Sequence, residues 1–133
     1  MPTIRETYLQ AARTVPDVVT AAAEHWAVPS ALEGWSVGGL TGHFVRGVAT
    51  VVRYLDQPTP PRGPEMDAVD YFNSFDLREP SFAEEVVRRG DMEAVDGPAA
   101  VAQRAAEWVG VLETRLPRLA IDHRVAVLDA FAL

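Results

Sequence analysis

The segment between Ser36 and the proline-rich run from Gln57 to Pro64 constrains this chain most, because it can be little other than a helix. Val37, Leu40, Phe44, Val48, Val51 and Leu55 recur at spacings of three and four, the period of one apolar helical stripe. The Ser36 hydroxyl is of the type that caps a helix N-terminus. Four prolines and one glycine among residues 57–64 enforce an extended loop after it. The spacing therefore predicts a helix over residues 37–56, with Arg46, Ala49 and Arg53 on the side opposite the stripe.

The same reasoning divides the rest of the chain. Thr3-Ile4-Arg5-Glu6 has capping-box form. Ile4, Tyr8, Ala11, Val15, Val18 and Ala22 continue from it at helical spacing, so residues 3–26 are expected to form either one helix kinked at Pro16 or two helices in line, and the shared stripe favours one. Residues 28–34 connect, with Pro29 and Gly34 as breakers. A short helix is expected within residues 66–75. A second capping box, Ser81-Phe82-Ala83-Glu84, predicts another from 82 to about 89, ended by Gly90. Asp96-Gly97-Pro98 opens a further long helix, with Val101, Ala105, Trp108, Leu112 and Leu116 as its buried face and Pro117 as its stop. Arg124-Val125-Ala126-Val127-Leu128 reads as a short C-terminal strand or extended segment. Three long amphipathic helices with short additions give an all-α, up-down bundle in one domain, residues 1–133.

Composition removes several kinds of function. Twelve basic residues, all arginine, stand against 19 acidic ones for a formal charge of −7. That balance disfavours nucleic acid, whose binding needs basic charge to displace counterions. It equally disfavours anionic membranes. The uniform use of arginine reads as the codon bias of a GC-rich bacterial genome. There is no cysteine, which excludes disulfides, thiolate metal ligands and a cysteine nucleophile, so any thiol chemistry must use an external thiol. No apolar run is long enough to span a bilayer and the N-terminus lacks a signal-peptide core, so a cytoplasmic location is expected.

Three histidines are the candidates for chemistry. On a helical wheel His43 falls at the edge of the 37–56 stripe, beside Leu40, Gly47 and Tyr54, where an imidazole is placed to ligate a metal or polarise a ligand. The plain alternative is a partly buried histidine bonded to a backbone carbonyl. His25 ends the first helix, continues its buried stripe and reads as a C-terminal helix residue, while His123 follows Asp122 in the tail and reads as an exposed loop histidine. No His-Glu-x-x-His and no phosphate-binding loop is present. Arg46 and Arg53 read as solvated surface residues.

Gly34-Trp35-Ser36-Val37-Gly38-Gly39-Leu40-Thr41-Gly42-His43-Phe44 resembles the Trp-to-His motif of the mycothiol-dependent maleylpyruvate isomerase family, within the DinB/YfiT-like metal-binding bundles. The likeness continues through Arg46, Val52 to Pro58, Asp67 to Phe72, and Arg89-Gly90. The resemblance implies a four-helix bundle holding a divalent metal, usually zinc, with His43 as first ligand and Trp35 packed where the helix begins. It also implies mycothiol as the cofactor. Its metal-bound thiolate adds to an activated double bond, which permits cis–trans rotation before elimination. The family's other ligands, a Glu and a His one turn apart on a fourth helix, have no counterpart here. The expected function is thus the metal-binding domain of a mycothiol-dependent isomerase or transferase. Its partners would be a small-molecule thiol and substrate and a second copy in a homodimer. The alternative is a non-catalytic dimerisation or partner-binding module that has lost the metal. A fragment of a longer protein, ligands supplied by a second subunit, or a degenerate relative would each explain the missing pair.

Overall fold

A computed structural model describes residues 1–126 of the chain. Among them the secondary-structure elements are all helices, with one isolated antiparallel bridge between Pro29 and Ser36. The elements are α1 (Ile4–Ala12), α2 (Val15–Ala22), α3 (Val37–Asp56), α4 (Ala68–Asn73), α5 (Pro80–Ala94) and α6 (Pro98–Arg115), with short 3-10 turns at Ala23–His25 and Leu116–Arg118. The expected all-α bundle is therefore present. Arg124 to Ala126 form no strand, and the remainder of that expected segment, Val127 and Leu128, lies outside the described residues. None of the helices is long and apolar enough to cross a membrane.

Local chemistry accounts for most boundaries. Thr3 accepts from the Glu6 backbone N–H while the Glu6 carboxylate accepts from the Thr3 N–H at 2.6 Å, completing the first capping box. Of the two readings of residues 3–26, the favoured single helix does not hold and two helices form. Pro16 has no N–H to give the Ala12 carbonyl, and the chain passes through Arg13 and Thr14 as a turn before α2 resumes. Ser36 caps α3 as expected, its Oγ accepting from Gly39 N–H at 2.9 Å, and the helix covers the predicted residues 37–56. Helix α5 is longer than expected. Pro80 occupies its first position after an N-cap at Glu79, so the Ser81 box does not form. The helix also runs through Gly90 to Ala94, making it a fourth substantial helix.

The core lies where α1, α2, α3 and α6 converge. Val19, Val45, Ala105 and Leu112 are wholly buried there, with Val48 and Val101 nearly so. For α1, α2 and α3 the expected stripes hold only in part, at Val15, Val48 and Leu55. On α1 and α2 the buried residues are Leu9, Ala12, Val15 and Val19, while Ile4 and Val18 are exposed. On α3 the buried residues include Gly38, Gly42, Val45, Val48, Ala49, Val52 and Leu55, while Phe44 is exposed. The α6 face matches its expectation except that Trp108 is half-buried.

Helix α3 is central, packing on α2 and α6 and most extensively on α5. A Cβ on Gly42 would collide with the Gly90 carbonyl oxygen and stand 3.1 Å from the Ala94 Cβ. Only backbone meeting backbone allows this approach. Arginines close two helix C-termini. Arg5 donates to the carbonyls of Leu116 (2.9 Å), Leu119 (2.6 Å) and Ala120 (2.5 Å), beyond the end of α6. Arg115 donates to the Leu55 carbonyl (2.7 Å) and Asp56 (2.5 Å), at the end of α3. A guanidinium there satisfies orphan carbonyls and complements the negative helix end.

Candidate functional site

The site begins with the loop that carries Trp35. Gly34 turns the chain at φ +85°, a conformation favouring glycine. Ser30 N–H donates to the Trp35 carbonyl at 2.8 Å, and Val37 N–H to the Val28 carbonyl at 2.8 Å. This ladder fixes the indole, half-buried, at the start of α3. Its ring lies 5.2 Å from the His43 ring, tilted by 49°. A Cβ on Gly90 would stand 2.8 Å from the indole and 3.2 Å from the His43 Cβ, so the α3–α5 contact backs the pair.

His43 stands at the exposed rim of a groove of about 860 Å³ rather than inside the bundle. The groove also receives Leu40, Gly47 and Tyr54, the neighbours expected from the wheel, together with Phe44, Arg46, Arg89 and Tyr71. Leu40, Phe44 and Val51, read as core face of α3, thus wall a cleft, while Val48 and Leu55 of the same stripe stay in the core. Partial burial, reinforced by the nearby Arg46 cation, pushes the His43 imidazolium below its usual range. Burial first, then the adjacent Tyr54, raises the Tyr71 phenol.

Arg46, Thr50, Tyr54 and Arg89 are shared with a second groove, of about 620 Å³, that continues between α3, α5 and α6. Five arginines line it, with Glu93 as its single acidic wall residue. Arg53 Nη2 donates to both Glu93 carboxylate oxygens, at 3.0 and 3.1 Å, while its guanidinium lies 5.4 Å from the Trp108 ring centre. Arg46 and Arg53 were expected to be solvated surface. Arg53 is exposed as expected and Arg46 is half-buried, but both also wall the groove.

Sequence reasoning gave no site role to Arg89, Glu93, Arg104 or Trp108: Arg89 entered only through the family likeness and Trp108 only as part of a buried helix face. The available signal was Arg46 and Arg53 two helical turns apart, with Arg88 and Arg89 on a later helix. His25 and His123 are exposed and line neither groove. Among the described residues, no three His, Asp or Glu side chains come together as a metal cluster. The side chains that line the groove with His43 are aliphatic, aromatic, hydroxyl-bearing or cationic, with no carboxylate among them, and one imidazole is fewer than the three protein ligands a catalytic zinc takes. The described donor set does not fit a complete metal centre.

The family model of the mycothiol maleylpyruvate isomerase N-terminal domain matches residues 8–131. No curated protein and no solved structure gives a significant match.

Proposed function

Because the chain belongs to the mycothiol maleylpyruvate isomerase N-terminal domain family, we propose that it is the ligand-binding domain of a mycothiol-dependent isomerase or transferase, with thiol and substrate meeting in the His43 groove. The observation that carries this reading is the histidine of the Trp-to-His motif at the rim of a groove, held between Trp35 and Arg46. A chain without cysteine has no thiolate of its own, so the nucleophile comes with the cofactor. Arg89 would hold a substrate carboxylate and offset negative charge as it develops. Tyr54 and Tyr71 add hydroxyls on the same side. His43 would be one donor to a divalent metal, zinc by the family resemblance. The described residues supply no others, so no step is assigned to a metal here.

Titration calorimetry with mycothiol, with and without added zinc, tests the reading. Saturable binding that His43→Ala abolishes supports it. Failure to bind under either condition, or binding indifferent to His43→Ala, overturns it.

A second reading is favoured by the incomplete donor set and by Val18 and Phe44, exposed at 41% and 44% beside the groove. In it the chain is a non-catalytic module whose groove face meets a second copy. Sedimentation over a concentration series that shows only monomer removes it.

A further inference from the structure

We propose that the groove between α3, α5 and α6 is a separate binding site for a small organic anion, held by the Arg46 and Arg104 guanidiniums beside Trp108. The groove adjoins the His43 groove and shares Arg46 with it, but Arg104 and Trp108 line this groove and not the other, and His43 lines the other and not this one, so the inference does not depend on the reading of His43.

Charge is the first argument. A chain with seven more acidic than basic residues gathers five of its twelve arginines along one cleft of about 620 Å³. Such a concentration of like charge opposes folding unless something compensates it. Glu93 is already engaged, since Arg53 bonds both of its oxygens and the residue is buried. Glu85 receives Arg88 and Arg89 at the outer end of α5.

Unmet donors are the second argument, and they are independent of the count. Arg46 is half-buried, and among the described residues it makes no hydrogen bond or ion pair. Burial lowers its pKa; Glu93 is the largest charge effect and opposes this, with Tyr54 on the same side, while Arg89 and Arg53 add to the lowering. Arg104 is held on one side by Asp96 (2.6 Å) and the Glu93 carbonyl (3.1 Å), yet its Nε–H is buried with no acceptor. Buried donors are normally satisfied, and a guanidinium left open matches a carboxylate or phosphate oxygen best. Trp108 and Met92 give the cleft an apolar side against which the carbon part of such a ligand can lie.

Calorimetric titration of the full chain with succinate and, separately, with inorganic phosphate tests the site. Saturable binding of succinate alone assigns a carboxylate ligand, and binding of phosphate alone a phosphate ester. Arg104→Gln is expected to weaken binding about 10-fold, the scale of one charge-assisted hydrogen bond. Arg46→Gln should do the same, and it removes no hydrogen bond of the folded protein. His43→Ala should leave the affinity within about 2-fold, since that ring adds no donor to the cleft. No saturable binding of either probe overturns the proposal. Binding that persists unchanged in Arg46→Gln overturns it too, because the attraction is then general to the surface. The thiol titration above uses neither probe, so failure here and failure of the thiol reading are separately visible.

Discussion

Gly90 of α5 lies against Gly39 of α3 so closely that a Cβ on Gly90 would stand 2.6 Å from the Gly39 carbonyl oxygen. The Trp35 ring and the His43 Cβ border the same point at 2.8 and 3.2 Å. Helix packing and site geometry are therefore set by one contact: whatever spaces α3 from α5 also moves the histidine and the groove wall that carries Arg89.

Gly90→Ala is accordingly expected to destabilise the protein although it replaces glycine within a helix. The better helix propensity of alanine returns about 1 kcal/mol. Forcing a methyl into backbone costs about 1–3 kcal/mol or more, and the carbonyl it meets is part of a helix and cannot turn aside. We expect a net loss of about 1–2 kcal/mol in urea denaturation with an unchanged slope, and a shift in tryptophan emission as the Trp35–His43 pair is displaced. A variant more stable than the parent would show that the helices separate freely.

Gly110→Ala supplies the contrast. Gly110 lies inside α6, and a Cβ there meets nothing within 4 Å. Only the propensity and unfolded-state effects remain, so the substitution should raise stability by about 0.5–1 kcal/mol. Thermal melts of the two variants side by side should move in opposite directions.

The same glycines explain which parts of the fold were legible in the sequence. The limits of α3 followed from Ser36 and the proline run, because capping and chain breaking are local. The buried face of α6 followed from its aliphatic period. The buried face of α3 did not. Its packing on α5 uses the absence of side chains at Gly39 and Gly42, which a hydropathy count scores as nothing. Gly90 misled for a related reason: locally it ends a helix, yet here tertiary contact offsets its poor propensity. The candidate site divides likewise. His43 was identified by a local motif, whereas the pairing of Arg53 with Glu93, forty residues away, depends on a helix register fixed only by packing.

That pairing should show in a double-mutant cycle. The Glu93 side chain retains only 9% exposure, and Arg53 binds both of its oxygens. Arg53→Ala leaves a carboxylate desolvated without its cation, at a cost of about 1–3 kcal/mol. Glu93→Gln keeps the shape and removes the charge. Once Glu93 is neutral, the further loss of Arg53 should cost measurably less, giving a coupling of about 1 kcal/mol. Additive effects in urea denaturation would mean that Trp108, not Glu93, holds the Arg53 guanidinium.

The last expectation concerns His43 and pH. Partial burial, and next the Arg46 cation, depress its pKa below the ordinary 6.5. The unfolded chain then binds more protons than the folded one between the folded value and 6.5. Stability from this residue is complete above 6.5 and is lost as pH falls through the folded pKa. Followed by the NMR shift of the ring Cε1 proton, the midpoint should lie below 6.5 in the parent protein. Arg46→Gln should raise it only part of the way back, since burial is the larger cause and remains. A midpoint at or above 6.5, or one that falls in Arg46→Gln, would mean that the imidazole does not sense this cation. A depressed midpoint leaves His43 neutral at neutral pH, with the ring nitrogen's lone pair free for whatever occupies the groove.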